Sequence, residues 1–447
     1  MRMQSQRRQV ILPLCLFLTL ALIFSVLPAD AVAEAAPESF TVGAAYLCCL
    51  DTNTVLYEKN AKTTLYPAST VKIMTGLLAC RLLSDRMDQT VTLTSAMVDG
   101  VTGRSLHLAV GEVLTIRDLL FAALCGCYND AANALAVLAS GSVSAFVEAM
   151  NRESQRLGCQ TTVFTNPTGM HDDAMVTTAG DVALIAREAY GNELFMAATS
   201  TPSYTIPATN VSEERTVYNR NLLLSDTSQN YRNGYCRGMS AGMTDEGGWC
   251  VVTVYERGGV SLLSVVMGGA DVATGEIIPA YSYTNSLLSW ANRNFGYVEV
   301  LAPGALLDTL PVGMTGISSS KADLTVPEGL YAYLPSDADR EKDLSVTYTL
   351  TDGKLTAPLQ AGEKVGIVTV RYGGEVVGVS SVIVEEDFTT SGFLLAMVSF
   401  RNYLTSRPFF ASVVFFLLLL FLYIRLWHQP KGRYGVRNMK NRRHRGR

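Results

Sequence analysis

A serine and a lysine three residues apart, Ser69 and Lys72, begin a predicted helix over residues 69–83. At this spacing two helical side chains lie on one face, so the hydroxyl and the amine can hydrogen-bond. A serine becomes a nucleophile when a neighbour takes its proton, and lysine can do so when burial and nearby cations lower its pKa from about 10.4. The helix N-terminus also favours negative charge that develops beside it. Taken alone, the pattern equally fits an N-cap serine followed by an exposed lysine.

The segments around this pair predict an α+β domain. Residues 41–59 read as two short strands around an Asp-Thr-Asn turn, which indicates a hairpin. Apolar residues then recur with helical spacing over four segments: 69–83, 116–140, 143–157 and 178–190. Strands over 248–256 and 260–268 and a helix over 279–294 complete the pattern. Strands at both ends with helices between them indicate a sheet that gathers distant segments.

The remaining chain predicts four further parts. Residues 296–387 carry short β-like runs and turns, which indicate a small all-β domain, and residues 388–408 form a juxtamembrane linker. Residues 409–427 are apolar over a length that spans a bilayer and are followed by a basic tail, 428–447. At the other end, three arginines, an apolar run and Ala31-Val32-Ala33 are typical of a secretory signal over 1–33.

The charge distribution agrees with export and argues against nucleic acid. The net charge of the whole chain is −4, but residues 34–424 carry 24 basic and 39 acidic side chains. An acidic main body makes nucleic acid an unsuitable partner. Because positive flanks stay cytoplasmic, the basic tail predicts a single-pass protein of the cell membrane with its main body on the extracytoplasmic side.

The cysteines and histidines do not predict a metal site. Four histidines are scattered, and the nine cysteines show no paired C-x-x-C or zinc spacing, so we expect neither a metal nor a cofactor. Four cysteines lie close in sequence to candidate site segments: Cys125, Cys127, Cys236 and Cys250. Two interpretations of these four residues remain open: a disulfide or redox function, or ordinary buried side chains without such a function.

Several ordered blocks resemble the D-alanyl-D-alanine carboxypeptidases, low-molecular-mass penicillin-binding serine peptidases of family S11. Residues 44–79 are similar to the start of that family, and the similarity continues to about residue 295. The blocks that carry it include Arg117-Asp118-Leu119-Leu120, Asn129-Asp130-Ala131-Ala132, Thr162 to Gly169 and Gly242-Met243-Thr244. Residues 296–387 resemble the C-terminal domain of the family. The resemblance implies the penicillin-binding, β-lactamase-like transpeptidase fold, an antiparallel sheet flanked by helices.

The family uses three motifs, and two of them are altered in this chain. The first, Ser-x-x-Lys, is intact. In the second, Ser-x-Asn, Asn129 is present but Cys127 occupies the serine position, where a thiol donates a weaker hydrogen bond. The third, Lys-Thr-Gly, reads Ser240-Ala241-Gly242, so both the cation and the threonine hydroxyl are missing. Arg237 is three residues away, which is the wrong parity to replace the lysine on the same strand face.

The resemblance implies a serine D-Ala-D-Ala carboxypeptidase that trims peptidoglycan stem peptides and takes β-lactams as covalent ligands. By this analogy Ser69 attacks the D-Ala-D-Ala carbonyl, Lys72 takes its proton and Asn129 orients the substrate and Lys72. The implied substrate-binding residues are Cys127, Ser240, Ala241 and Gly242. Backbone N–H groups of Ser69 and of a residue just after Gly242 would hold the oxyanion.

Two other functions remain open from the sequence. The altered motifs also fit a regulatory pseudoenzyme that keeps the fold and binds peptidoglycan without turnover. The second of these alternatives is a β-lactamase or esterase, although no deacylating glutamate can be assigned from the sequence.

Overall fold

The computed structural model describes residues 35–38, 41–225, 230–271, 277–316, 320–340 and 342–428. The predicted signal peptide and the tail beyond residue 428 lie outside these ranges. The chain forms two compact units. The first contains the described residues up to Ala302 together with Gly329–Thr347 and Thr369–Val379, and the second contains Pro303–Glu328, Tyr348–Val368 and the residues from Ser380 onwards.

A five-stranded antiparallel sheet is the centre of the first unit. The predicted hairpin is confirmed as β1 (Ala44–Cys49) and β2 (Val55–Lys59). The later strands are β7 (Cys236–Thr244), β8 (Gly248–Arg257) and β9 (Val260–Gly269), and the sheet order is β2-β1-β9-β8-β7. β1 therefore pairs with a strand more than 200 residues later in the chain, as the α+β prediction requires.

Helices lie against this sheet and close the core. In chain order they are α1 (Val71–Leu82), α2 (Ser95–Val98), α3 (Ile116–Leu124), α4 (Asn129–Ser140), α5 (Val143–Arg156), α6 (Ala179–Tyr190), α7 (Glu193–Ser200), α8 (Leu222–Ser225) and α9 (Pro279–Asn294). The first ten residues of α1 are all buried, because α1 is surrounded by other elements rather than lying on the surface. Short pairs β3 (Thr90–Thr92) with β4 (Val113–Thr115), and β5 (Ser203–Ile206) with β6 (Arg215–Tyr218), complete the unit.

The single helix predicted over 116–140 is wrong. The chain forms α3 and α4 with a four-residue break between them, and Cys127 in that break has a left-handed φ of 59°. Apolar spacing continues through the break because both helices face the same core, so periodicity could not show it. The break carries Cys127, which belongs to the predicted second motif.

Every element between residues 295 and 384 in the described chain is a strand, in agreement with the all-β prediction for this region. In the first unit β10 (Phe295–Leu301) pairs with β13 (Leu330–Pro335). In the second unit β11 (Leu306–Gly313) pairs with β12 (Ser320–Thr325) and with β15 (Leu355–Thr356), and β12 pairs with the end of β17 (Glu375–Val384). The other strands are β14 (Leu344–Leu350) and β16 (Lys364–Tyr372).

Two helices end the described chain. The helix α10 (Gly392–Leu404) lies in the predicted linker, and α11 (Arg407–Trp427) matches the predicted transmembrane segment. By length and composition α11 is the single helix in the described residues that could cross a membrane unaided.

Candidate active site

Ser69 lies in a short turn that precedes α1. Residues Ala68–Thr70 form one turn of 3₁₀ helix, and the Thr70 hydroxyl fixes it by donating to the Pro67 carbonyl at 2.6 Å. Ala68 has a left-handed φ of 47°, a conformation that costs energy for a residue with a Cβ. Ser69 is half-buried and lines a cleft, so this turn presents the hydroxyl to an incoming ligand.

Lys72 is buried, and it follows Ser69 by three residues in the sequence. Its side chain is only 2% exposed, and its amine donates to the Thr168 carbonyl at 2.5 Å. Burial lowers the pKa of Lys72, the Arg104 cation lowers it further, and the neighbouring Cys127 thiol opposes the shift. A lysine with a lowered pKa is neutral in a larger fraction of molecules, which is the state that a general base requires.

A loop over residues 166–170 supplies the acceptor for Lys72. The Asn166 side-chain oxygen accepts hydrogen bonds from the main-chain N–H groups of Thr168 and Gly169, at 3.1 and 2.9 Å. Gly169 has a φ of 79°, and a Cβ at this position would lie 2.1 Å from the Ala68 carbonyl oxygen. The loop can therefore approach the nucleophile turn only with glycine at residue 169.

The second motif lies in the break between α3 and α4. Cys127 is 8% exposed and lies next to Lys72, while Asn129 begins α4. The Asn129 amide donates to the Thr102 carbonyl at 2.8 Å, and its main-chain N–H donates to the Arg104 carbonyl at 2.8 Å. These bonds connect the second motif to the 102–104 segment.

The third motif lies on β7, an edge strand of the sheet that approaches Ser69 closely. The Ser240 hydroxyl donates to the Ser69 carbonyl at 3.0 Å, so it links β7 to the turn that contains Ser69. A Cβ on Gly242 would lie 2.6 Å from the Ser69 Oγ and 2.5 Å from its Cβ. Glycine is thus the residue type that allows β7 and Ser69 to approach this closely, and Ala241 lines the cleft beside it.

The cleft between these motifs has a volume of about 410 Å³. All seven predicted site residues line this cleft or the smaller space beneath it. Five of them line the cleft: Ser69, Cys127, Asn129, Ala241 and Gly242. The other two, Lys72 and Ser240, line the smaller space. The structure thus brings all the predicted residues to one place, and their roles stay predictions.

Sequence reasoning missed three contributors to this site. They are the Thr168 carbonyl, Arg104 and Arg220. The Thr168 carbonyl has only an indirect signal, because residue 168 lies in the block from Thr162 to Gly169 that resembles the family. Arg104 has no signal, because it lies 25 residues before Asn129. The only available signal for Arg220 is its place between two asparagines, Asn219 and Asn221.

Arg237 does not replace the missing lysine, in agreement with the parity argument. Its guanidinium donates to the Gly234 and Cys236 carbonyls and lies 3.6 Å from a Glu256 carboxylate oxygen. The eight cysteines of the described chain are all free, including the four near the motifs, so none of them forms the disulfide considered above.

Comparison with known proteins identifies the family. A family model described as D-alanyl-D-alanine carboxypeptidase matches residues 30–271, more than half of the chain. The chain belongs to the D-alanyl-D-alanine carboxypeptidase family. A second model, described as the C-terminal domain of penicillin-binding protein 5, matches residues 295–390. The family predicted from the motifs is therefore confirmed.

The chain is also similar to individual members of this family over most of their length. The chain is 27% identical over 347 residues to the D-alanyl-D-alanine carboxypeptidase DacF of Bacillus subtilis, covering 77% of this chain and 85% of that protein. It is 31% identical to the D-alanyl-D-alanine carboxypeptidase of Streptomyces sp. strain K15, covering 56% of this chain and 87% of that protein. Penicillin-binding protein 5 of Haemophilus influenzae aligns with a TM-score of 0.61 at 25% identity, covering 80% of this chain and all of that one.

These findings also confirm the predicted fold class. The family and the fold indicate a serine D-alanyl-D-alanine carboxypeptidase, a hydrolase of cell-wall metabolism. Nothing in the comparisons specifically supports the inactive, regulatory alternative.

Proposed function

We propose that this chain removes the terminal D-Ala from peptidoglycan stem peptides through an acyl-enzyme on Ser69. The Ser69 oxygen bonds to the carbonyl carbon of the D-Ala-D-Ala peptide while Lys72 accepts the hydroxyl proton. The C–N bond then breaks, and the proton passes from Lys72 to the amine of the leaving D-Ala. Water subsequently attacks the ester and restores the free hydroxyl.

The single observation that carries this proposal is the environment of Lys72. Its amine is buried, donates to one carbonyl and has a lowered pKa, and it lies one helical turn from a hydroxyl that lines the cleft. A structural lysine in a pseudoenzyme has no need of this arrangement, since burying a charge costs free energy unless the group is neutral or well paired. The environment therefore supports a base that starts the reaction uncharged.

The other motif residues have supporting roles in the proposal. Ser240 positions the nucleophile turn through the Ser69 carbonyl, while Cys127 contacts Lys72 in the place of a hydroxyl. Asn129 lines the cleft and orients the substrate. The main-chain N–H groups of Ser69 and Met243 form the oxyanion hole, because both residues flank the close approach at Gly242.

We also propose that the active site faces the extracytoplasmic side of the cell membrane. The helix α11 is long and apolar enough to cross a membrane and is followed by the basic tail, which favours a cytoplasmic C-terminus. Peptidoglycan stem peptides lie on the opposite side, where β-lactams would also reach Ser69.

Labelling with a fluorescent penicillin tests directly whether the protein is an active carboxypeptidase. We expect the purified full-length protein to be labelled covalently, to release D-Ala from a stem pentapeptide, and to lose both activities in Ser69→Ala. Ser144→Ala, an exposed serine outside the cleft, is the matched control and should behave as wild type. A folded wild-type protein that is neither labelled nor active would refute the proposal and favour the regulatory pseudoenzyme.

A further inference from the structure

Arg104 is a cation that the protein holds in a fixed orientation beside the second motif. Its Nε donates to the Gly126 carbonyl at 2.7 Å, and its Nη2 donates to the Tyr128 hydroxyl at 3.3 Å. The guanidinium also lies over the Tyr128 ring, 4.5 Å from the ring centroid. The ring itself packs against Gly126, where an added Cβ would lie 2.4 Å from a ring carbon. These contacts use one edge and one face of the planar group, and Nη1 remains available to a ligand.

The main chain that carries Arg104 is fixed as well. Asn129 donates to two main-chain carbonyls of residues 102–104, both at 2.8 Å. Gly103 has a φ of 80°, and an added Cβ there would lie 2.7 Å from the Asn129 side-chain nitrogen and 2.6 Å from the Met170 sulfur. The segment is therefore packed closely against both of these neighbours. Because the guanidinium is held at both ends, little order is lost when it binds an anion.

The charged residues that line the cleft are unevenly distributed. Arg104 is exposed and lines the cleft, and no carboxylate of the residues that the structure describes lies within salt-bridge distance of it. Asp245 and Glu246, which line the same cleft, follow the third motif. Arg220 also lines the cleft, but it belongs to the segment before β7. Arg104 is thus a cation on the second-motif side, and it would attract a negative group of the substrate that lies there.

We propose that Arg104 binds a free carboxylate on the part of the stem peptide that stays on Ser69 as the acyl-enzyme, so that the chain prefers stems whose carboxylates are not amidated. This inference rests on the proposed function. Arg104 and Asn129 lie on the same side of the cleft, so the stem that Asn129 orients extends toward the guanidinium. The two terminal nitrogens of the guanidinium can then donate to one carboxylate.

Two groups of a stem peptide have this chemistry. One is the α-carboxylate of its γ-linked glutamate, and the other is the side-chain carboxylate of a diamino dicarboxylic acid at its third position. Three synthetic pentapeptides distinguish them: one with both groups free, one amidated at the glutamate and one amidated at the third residue. All three keep the terminal D-Ala-D-Ala and its free carboxylate.

The test measures D-Ala release from each peptide as kcat/KM for the full-length wild type, Arg104→Gln and Arg104→Lys. We expect the wild type to cleave at least one amidated peptide about tenfold less efficiently than the free one, a modest ratio for a charged hydrogen bond because Arg104 is exposed. The amidated position that causes the loss identifies the bound carboxylate. Arg104→Gln should cleave that pair of peptides equally well, and Arg104→Lys should keep part of the preference because it keeps the charge.

The ratio between peptides separates carboxylate binding from the influence of Arg104 on Lys72. Arg104 also lowers the pKa of Lys72, so Arg104→Gln changes the rate with every peptide, and this effect cancels in the ratio. Arg232→Gln removes the same charge from an exposed site outside the cleft and is the matched control, which should keep the wild-type ratio.

Equal kcat/KM values of the wild type for all three peptides would overturn the inference and leave the proposed function intact. An unchanged ratio in folded Arg104→Gln would do the same. A folded wild type that releases D-Ala from none of the peptides and is not labelled by penicillin would refute the proposed function, and the inference would fail with it.

Discussion

Substitution of Gly242 by alanine tests how closely the third-motif strand must approach the nucleophile. The added Cβ would lie 2.5 Å from the Ser69 Cβ, whereas an ordinary contact is 3.4 Å or longer. Either β7 or the turn at Ser69 must therefore move by about 0.9 Å, and a displacement of about 1 Å at a reacting group costs on the order of 100-fold in rate. We expect acylation of Gly242→Ala by a fluorescent penicillin to fall by about that factor.

The fold should tolerate this change, because overpacking of one methyl group costs about 1–3 kcal/mol. Circular dichroism and thermal unfolding then separate a misplaced nucleophile from an unfolded protein. Gly234→Ala is the matched control, since a Cβ there meets no atom within 4 Å, and it should acylate at the wild-type rate. Wild-type acylation by folded Gly242→Ala would refute the reasoning that glycine is needed for the close approach to Ser69.

Three further predictions concern the neighbours of Ser69. Ser240→Ala removes the hydrogen bond to the Ser69 carbonyl, so we expect the variant to be about 1 kcal/mol less stable and to be acylated more slowly. Thermal unfolding measures the stability, and penicillin labelling measures the acylation rate. An unchanged stability and an unchanged acylation rate would contradict a positioning role for Ser240. Because burial and the Arg104 cation lower the pKa of Lys72, the acylation rate should rise with pH through a midpoint below 10.5. Arg104→Gln removes the cation and should move that midpoint to a higher pH. An unchanged midpoint in this variant would show that Arg104 does not influence the pKa of Lys72. Cys127→Ser places a stronger hydrogen-bond donor beside Lys72 and should raise the acylation rate up to about tenfold. Cys127→Ala removes the donor and should lower the acylation rate. Equal rates for the two variants would show that the side chain at residue 127 takes no part in acylation.

The fold class and the first motif could be predicted from the sequence. Two short strand-like segments around an Asp-Thr-Asn turn predicted the β1–β2 hairpin, and the helix predicted over residues 279–294 is α9, with the bounds that the structure has. The break between α3 and α4 could not be predicted from periodicity, since it depends on a left-handed Cys127 held by tertiary contacts. The helix α7 was not predicted either; it is only eight residues long.

The site was predictable as a set of motifs and not as a set of interactions. Spacing placed Ser69 and Lys72 on one helix face, and family resemblance added residues from β7 and the α3–α4 break. The hydrogen bond from Ser240 to the Ser69 carbonyl was not predictable, because the motif assigned that position to substrate. Arg220 was not predictable for a different reason: its contribution depends on where two buried asparagines hold its backbone.

Five of the free cysteines are deeply buried, and burial makes their thiols slow to react. Burial raises the pKa of Cys48, Cys80, Cys125 and Cys236 to about 12 and that of Cys250 to about 11. At neutral pH each of these thiols is therefore almost entirely protonated. Thiol–disulfide exchange proceeds through the thiolate, so these positions react slowly even where oxidants are abundant. These five positions therefore need no cross-link to be protected from oxidants, because the surrounding core keeps their thiols protonated.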